Sequence, residues 1–139
     1  MNQDIIQDLK KCRVSGYEDL SVRAKAIYRS KCAELIADGE LRRGYLTTLI
    51  SWADNYARYL RLKKEVEEEG YTFKSHNKFG EEVISANPKV KMMNDAQKMA
   101  NNILSDFGST LAKARKLGKE KPKPKSALEE FNEKFDGQA

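Results

Sequence analysis

The sequence predicts a mainly α-helical protein: a helical hairpin core with a short β-hairpin between its two long helices, then a flexible basic linker and a short C-terminal helix. Three observations carry that expectation. Apolar residues recur at steps of three and four through several long segments, the repeat of one helical face. Glycines and an Asn-Pro pair stand where such segments should stop and start. Between residues 70 and 87 the pattern changes to strand-prone residues around a polar turn.

A first helix is expected from Asn2 to about Cys12, with Ile5, Ile6, Leu9 and Cys12 on one face, broken by Ser15-Gly16. A second should run from about Ser21 to Asp38. Its apolar positions are Leu20, Ala24, Ile27, Tyr28, Cys32, Leu35 and Ile36, and Gly39 is its natural stop. The third and longest begins at Leu41 or Tyr45 and ends at Glu69, before Gly70. Leu46, Leu49, Ala53, Tyr56 and Leu60 alternate steps of three and four, and Tyr45, Trp52, Tyr59 and Val66 form a second row at steps of seven. Two adjoining rows make a stripe wide enough to serve the subunit on one side and a neighbour on the other.

Tyr71, Phe73, Phe79, Val83 and Ile84 then suit a β-hairpin turning at Ser75-His76-Asn77-Lys78. Asn87 and Pro88 open a fourth helix as N-cap and first helical residue. Its face is Val90, Met93, Ala96, Met99 or Ala100, Ile103 or Leu104, and Phe107, and Gly108 is its expected end. Ser109 caps a short fifth helix, Thr110 to Leu117, closed by Gly118. Lys119 to Lys125 contains Pro122 and Pro124, which remove donors and fix the backbone, so it reads as an extended basic linker. Ser126 starts a last amphipathic piece. The organisation is therefore 1–44 as an N-terminal helical region, 45–118 as a helical-hairpin core for oligomerisation, 119–125 as a linker and 126–139 as an acidic tail.

Charge is unevenly distributed. Residues 88–125 carry ten basic and three acidic side chains, whereas 126–139 carry one and four. Adjacent segments of opposite sign imply different partners, one of them polyanionic. Cys12 and Cys32 are too few for a disulfide framework and read as small buried side chains. No Cys-x-x-Cys pair occurs, His76 is the only histidine, and no phosphate-cradling Gly-rich loop or paired nucleophile and base is present. The expectation is a protein without catalytic residues, metal or cofactor. With no signal-like segment or membrane span, it is also expected to be soluble and intracellular.

The run Tyr56-Ala57-Arg58-Tyr59, the acidic stretch closing in Glu69-Gly70, the hairpin-like segment, and the Asn87-Pro88 helix with Ala96 closing in Phe107-Gly108 together resemble the small terminase subunits of tailed bacteriophages. Upstream, Leu20-Ser21, Ala24, Tyr28, Leu35, Gly39 and Leu41 follow that family's first long helix and turn, so the resemblance spans about residues 20–118. After Phe-Gly the family usually has a Leu-Thr-Pro turn and a Ser-Arg pair. Here Ser109 to Arg115 lacks the proline, and only Arg115 carries over. The resemblance implies a ring-forming helical subunit in the cytoplasm of the infected bacterial host. It would bind double-stranded viral DNA at the packaging-initiation site and deliver it to the large terminase subunit, which supplies ATPase and nuclease.

The candidate DNA contacts are Lys113, Arg115, Lys116, Lys119, Lys121, Lys123 and Lys125, opposed only by Glu120, with Arg23, Arg29, Arg42 and Arg43 as a second surface. Tyr45, Leu49, Trp52, Tyr56, Tyr59, Met93 and Met99 are candidates for the oligomer interface. Aromatics at helical spacing also serve as an ordinary core, and as base-stacking platforms less often. Leu128, Phe131 and Phe135 fit docking on the large subunit through i, i+3, i+7 anchors, or simple folding back on the chain. The competing functional class is a dimeric helix-turn-helix transcription regulator of a mobile element. A helical adaptor with no DNA role, its lysines serving only solubility, is weaker still.

Overall fold

A computed structural model describes residues 3–120, with side chains from 6 to 118. Its elements are α1 (Gln3–Lys11), α2 (Val22–Ala37), a 3-10 turn (Arg43–Tyr45), α3 (Leu46–Glu69), β1 (Thr72–His76), β2 (Glu82–Ala86) and α4 (Pro88–Glu120). They form two compact units that divide between Asp106 and Phe107.

The first unit starts from α1 packed on α2, and α2 packed on α3. Cys12, Tyr17, Leu20, Ala24, Tyr28, Cys32 and Leu35 are buried there with Leu46, Leu49, Ala53 and Ala57. Local chemistry sets the ends of α2. The Ser21 hydroxyl accepts from the Ala24 amide at 3.1 Å, meeting one of the orphan donors of the first turn. At the other end Gly39 has φ +68° and the Glu40 amide returns to the Leu35 carbonyl at 2.8 Å. The fully buried Tyr28 hydroxyl donates to the Cys12 carbonyl at 2.5 Å, tying the end of α1 to the middle of α2.

Cys12 and Cys32 lie beside that hydroxyl, both buried. Desolvation pushes the Cys32 thiol up to about 12, and burial raises that of Cys12 as well. At pH 8 the thiolate population is therefore negligible, and the thiolate is the reactive species. Both thiols are expected to resist a disulfide reagent such as dithionitrobenzoate in the native protein and to react fully in guanidinium. Rapid native labelling of either would contradict the buried environment.

α3 changes its buried face along its length. Leu46, Leu49, Ala53 and Ala57 lie on one side. Leu62 and Val66 are fully buried on the opposite side, where they cluster with Met93 of α4, flanked by Tyr59 and Val90. Residues late in α3 thus meet residues early in α4, the antiparallel arrangement of a helical hairpin. Ala96 and Ala100 continue the buried stripe of α4, as the periodicity predicted.

Between the two helices the antiparallel pair β1–β2 runs from Thr72↔Ala86 to His76↔Glu82. Its turn is displaced from the sequence expectation. Ser75 and His76 belong to β1, and the reversal occurs over Asn77–Glu81. The Asn77 side chain accepts from the Phe79 and Glu81 amides at 2.9 and 3.0 Å, and Gly80 takes φ +78°. The Asn77 amide also bonds the Glu81 carbonyl at 3.0 Å, which leaves Lys78, Phe79 and the left-handed Gly80 as a three-residue hairpin loop. Every residue of both strands is exposed.

α4 opens as expected at Asn87 and Pro88 but does not stop at Gly108. It continues to Glu120, so the separate fifth helix beginning at Thr110, and an extended segment beginning at Lys119, are corrected. A lone glycine costs a helix only about 1 kcal/mol, and with no proline between Gly108 and Gly118 nothing forces a break. Phe107 and Leu111, four apart and both buried, keep one apolar face running through Gly108. α3 also begins later than Leu41, because Arg43–Tyr45 forms the 3-10 turn. The expected linker from Lys121 onward and the C-terminal piece with Leu128, Phe131 and Phe135 lie outside the described residues.

Candidate nucleic-acid interface

Among the described residues, groups of basic side chains in three places are candidates for contact with a polyanion. In the second unit, the last turns of α4 expose Lys113, Arg115 and Lys116. Lys113 and Lys116 are neighbours at i, i+3, whereas Arg115 leaves the helix on a different side. The side chains of Lys119, Lys121, Lys123 and Lys125 are outside the described set.

The second place is the region beyond the C-terminal end of α2. Arg42 and Arg43 are exposed there, and Arg43 lines a cavity of about 610 Å³ with Asp8, Lys11, Cys12, Ile36 and Leu46. Arg23 and Arg29 are exposed on α2, but Arg23 sits in its first turn, at the opposite end of a helix roughly 24 Å long. The structure therefore does not gather Arg23, Arg29, Arg42 and Arg43 into one patch. Lys25 and Lys31 are engaged locally, with Glu18 at 3.4 Å and Glu34 at 3.5 Å.

The third place was not singled out from the sequence. Arg23 faces a cleft of about 540 Å³ between the start of α2 and the second half of α3, lined also by Arg58, Arg61 and Lys64, with Asp19 and Asp54. Arg58 pairs with Asp54 at 3.1 Å. The legible signal was the spacing of Arg58, Arg61 and Lys64, each three residues from the next along α3. In the sequence Arg58 figures only in the Tyr56-Ala57-Arg58-Tyr59 run, and Arg61 and Lys64 have no assigned role.

The proposed assembly residues divide by exposure. Leu49 is 1% exposed and Met93 9%, so both serve the protomer's own core. Tyr59 packs against the α3–α4 cluster. Trp52 stacks on Tyr56 with ring centroids 5.7 Å apart, and Tyr56 meets Tyr59 at 6.4 Å. Tyr56 and Met99 are exposed, and Tyr45 is half-buried. The aromatic ladder thus flanks α3 between its two buried faces. Its neighbour on α2 is a groove of about 430 Å³ lined by Ala26, Ile27, Ser30, Lys31, Glu34 and Trp52.

At the base of the β-hairpin, the Lys89 ammonium bridges Glu69 at 2.9 Å and Glu65 at 3.5 Å, and the hydrogen bond to Glu69 holds its pKa above the ordinary lysine value. Among the described residues no group of three or more His, Cys, Asp or Glu is placed to hold a metal ion. None of the described helices is long and apolar enough to cross a membrane.

Comparison with known proteins bears on what these surfaces serve. No curated protein and no solved structure gives a significant match. The family model described as phage terminase, small subunit, matches residues 24–124, well over half of the 139-residue chain. That span takes in most of α2, together with α3, the β-hairpin and α4 with its exposed basic end. The chain belongs to the small subunits of the phage terminases, the family of viral DNA packaging.

Proposed function

We propose that this subunit binds double-stranded viral DNA at the packaging-initiation site as a closed ring, and recruits the large terminase subunit in the host cytoplasm. The large subunit would supply ATP hydrolysis and cutting, and this chain would contribute binding alone. The observation that carries the reading is the family match, joined to a run of exposed basic residues at the end of α4. Lys113, Arg115 and Lys116 lead into a sequence with Lys119, Lys121, Lys123 and Lys125. Such a run engages phosphates, which position a duplex without reading its sequence. Trp52, Tyr56 and Met99, with Tyr45 and Tyr59 beside them, are assigned to the subunit interface. Leu128, Phe131 and Phe135 are assigned to docking on the large subunit.

Duplex binding followed by fluorescence anisotropy over a salt series tests the assignment. Changing Lys113, Lys116, Lys119, Lys121, Lys123 and Lys125 together to Gln should weaken binding at least tenfold and flatten the salt dependence. Each phosphate left without its cation takes about 0.9 off the log–log slope. An unchanged slope would remove the run from the DNA interface. Native mass spectrometry should give one closed species of many subunits, and a clean dimer would overturn the ring.

A further inference from the structure

The cleft between α2 and α3 is basic for a reason that lies in the way α3 is used. Its first half gives one face to the core shared with α2, and Leu62 and Val66 turn the opposite face toward α4. The side left over in the second half carries Arg58, Arg61 and Lys64, all exposed. The first turn of α2 brings Arg23 to the same cavity, so four cations from two helices line one concavity against Asp19 and Asp54.

The balance among these groups decides what the cleft can bind. Asp54 is taken by Arg58, an exposed pair of small net value. Among the described residues no carboxylate lies within ion-pair distance of Arg23, Arg61 or Lys64, and Asp19 is the one remaining acid in the lining. Concave walls focus the potential of such a group toward an anion. Guanidinium forks match two phosphate oxygens at once and are more easily dehydrated than ammonium. Arg58 to Lys64 covers about 9 Å of helix axis, at about 1.5 Å per residue. The strand winds about the DNA axis, so its consecutive phosphates lie farther apart than the axial rise of about 3.4 Å per nucleotide, and the row matches two of them.

We infer that this cleft is a second phosphate-backbone site for duplex DNA, formed by Arg23, Arg58, Arg61 and Lys64. The inference rests on the DNA-binding reading above, but it is independent of the basic end of α4. The site grips backbone and confers no base preference. The Asp54–Arg58 pair restrains it, since Asp54 competes with phosphate for the Arg58 guanidinium.

The full-length protein with a fluorescent duplex, titrated across a salt series, separates the possibilities. R61Q/K64Q should lower the log–log salt slope by about 1.8, two phosphates at about 0.9 each, and weaken binding at least tenfold at about 0.1 M salt. K63Q changes charge on the same helix outside the cleft and should stay within about twofold of wild type. D54N should strengthen binding, a direction that loss of structure would not produce. R23Q, on the other helix, repeats the test should R61Q/K64Q lower the melting temperature. The cleft is excluded if R61Q/K64Q and R23Q both bind no more weakly than K63Q while wild type binds DNA. If wild type fails to bind any duplex at low salt, the DNA reading itself falls and the cleft with it.

Discussion

Leu62→Ala is expected to lower the unfolding free energy by about 2–5 kcal/mol, the range for removing a buried leucine side chain where the surroundings cannot collapse. Leu62 is 1% exposed and sits with Val66 and Met93, the small cluster that joins the end of α3 to the start of α4. The effect should be local as well as large. Leu46, Leu49, Ala53 and Ala57 serve the α1–α2 side of α3 and do not depend on Leu62. Hydrogen exchange should therefore show amides of residues 88–106 losing protection before those of α2. Equal loss everywhere would mean that the first unit unfolds as one cooperative block. The comparison needs a fixed protein concentration, because self-association would shift the apparent stability by mass action.

The helical core was legible because burial and periodicity agree there. Ala24, Tyr28, Cys32 and Leu35 mark the buried side of α2 in both sequence and structure, and Ser21 and Asn87 cap where an oxygen acceptor was wanted. What failed was punctuation. Gly108 looked like a stop, but glycine ends a helix only when the chain must take a left-handed turn, and nothing at Ser109 or Thr110 requires one. The hairpin turn slid two residues along. Asn77 rather than Ser75 supplies the side-chain acceptor that closes the loop, and Gly80 supplies the positive φ.

The candidate surfaces were less legible, since they depend on which helices meet. A seven-residue row from Tyr45 through Trp52, Tyr59 and Val66 reads as a single stripe. In the fold Val66 is fully buried against α4, while Trp52 and Tyr56 stack on a flank. Arg23 and Arg43 group as one candidate surface in sequence, but Arg23 lies in the first turn of α2 and Arg43 beyond its other end. Conversely, Arg23 and Arg61 are far apart in the chain and line the same cleft. Periodicity on one helix cannot reveal a site whose second wall comes from another.

Asn87→Ala is expected to cost about 2–4 kcal/mol, because this side chain holds two ends of backbone at once. It is 1% exposed. Its oxygen accepts from the Lys89 amide at 3.0 Å, capping α4, and its nitrogen donates to the Gly70 carbonyl at 2.9 Å, closing α3. The main-chain amide of Asn87 adds a bond to the Tyr71 carbonyl at 2.9 Å, so both strands of the hairpin leave from this point. Alanine removes a cap worth about 1 kcal/mol and leaves the Gly70 carbonyl without that donor, at a further cost of about 1–3 kcal/mol. Asn87→Ser restores a capping oxygen but is too short to carry the amide donor, so it should recover only the first part. The difference between wild type and Asn87→Ser in denaturant unfolding measures the Gly70 bond. In both variants the two exposed strands lose that tie to α3, and limited proteolysis should cut between residues 71 and 86 faster than in wild type. If Asn87→Ser restored full stability and wild-type protease resistance, the Gly70 bond would contribute nothing, and the cap alone would account for the burial of this asparagine.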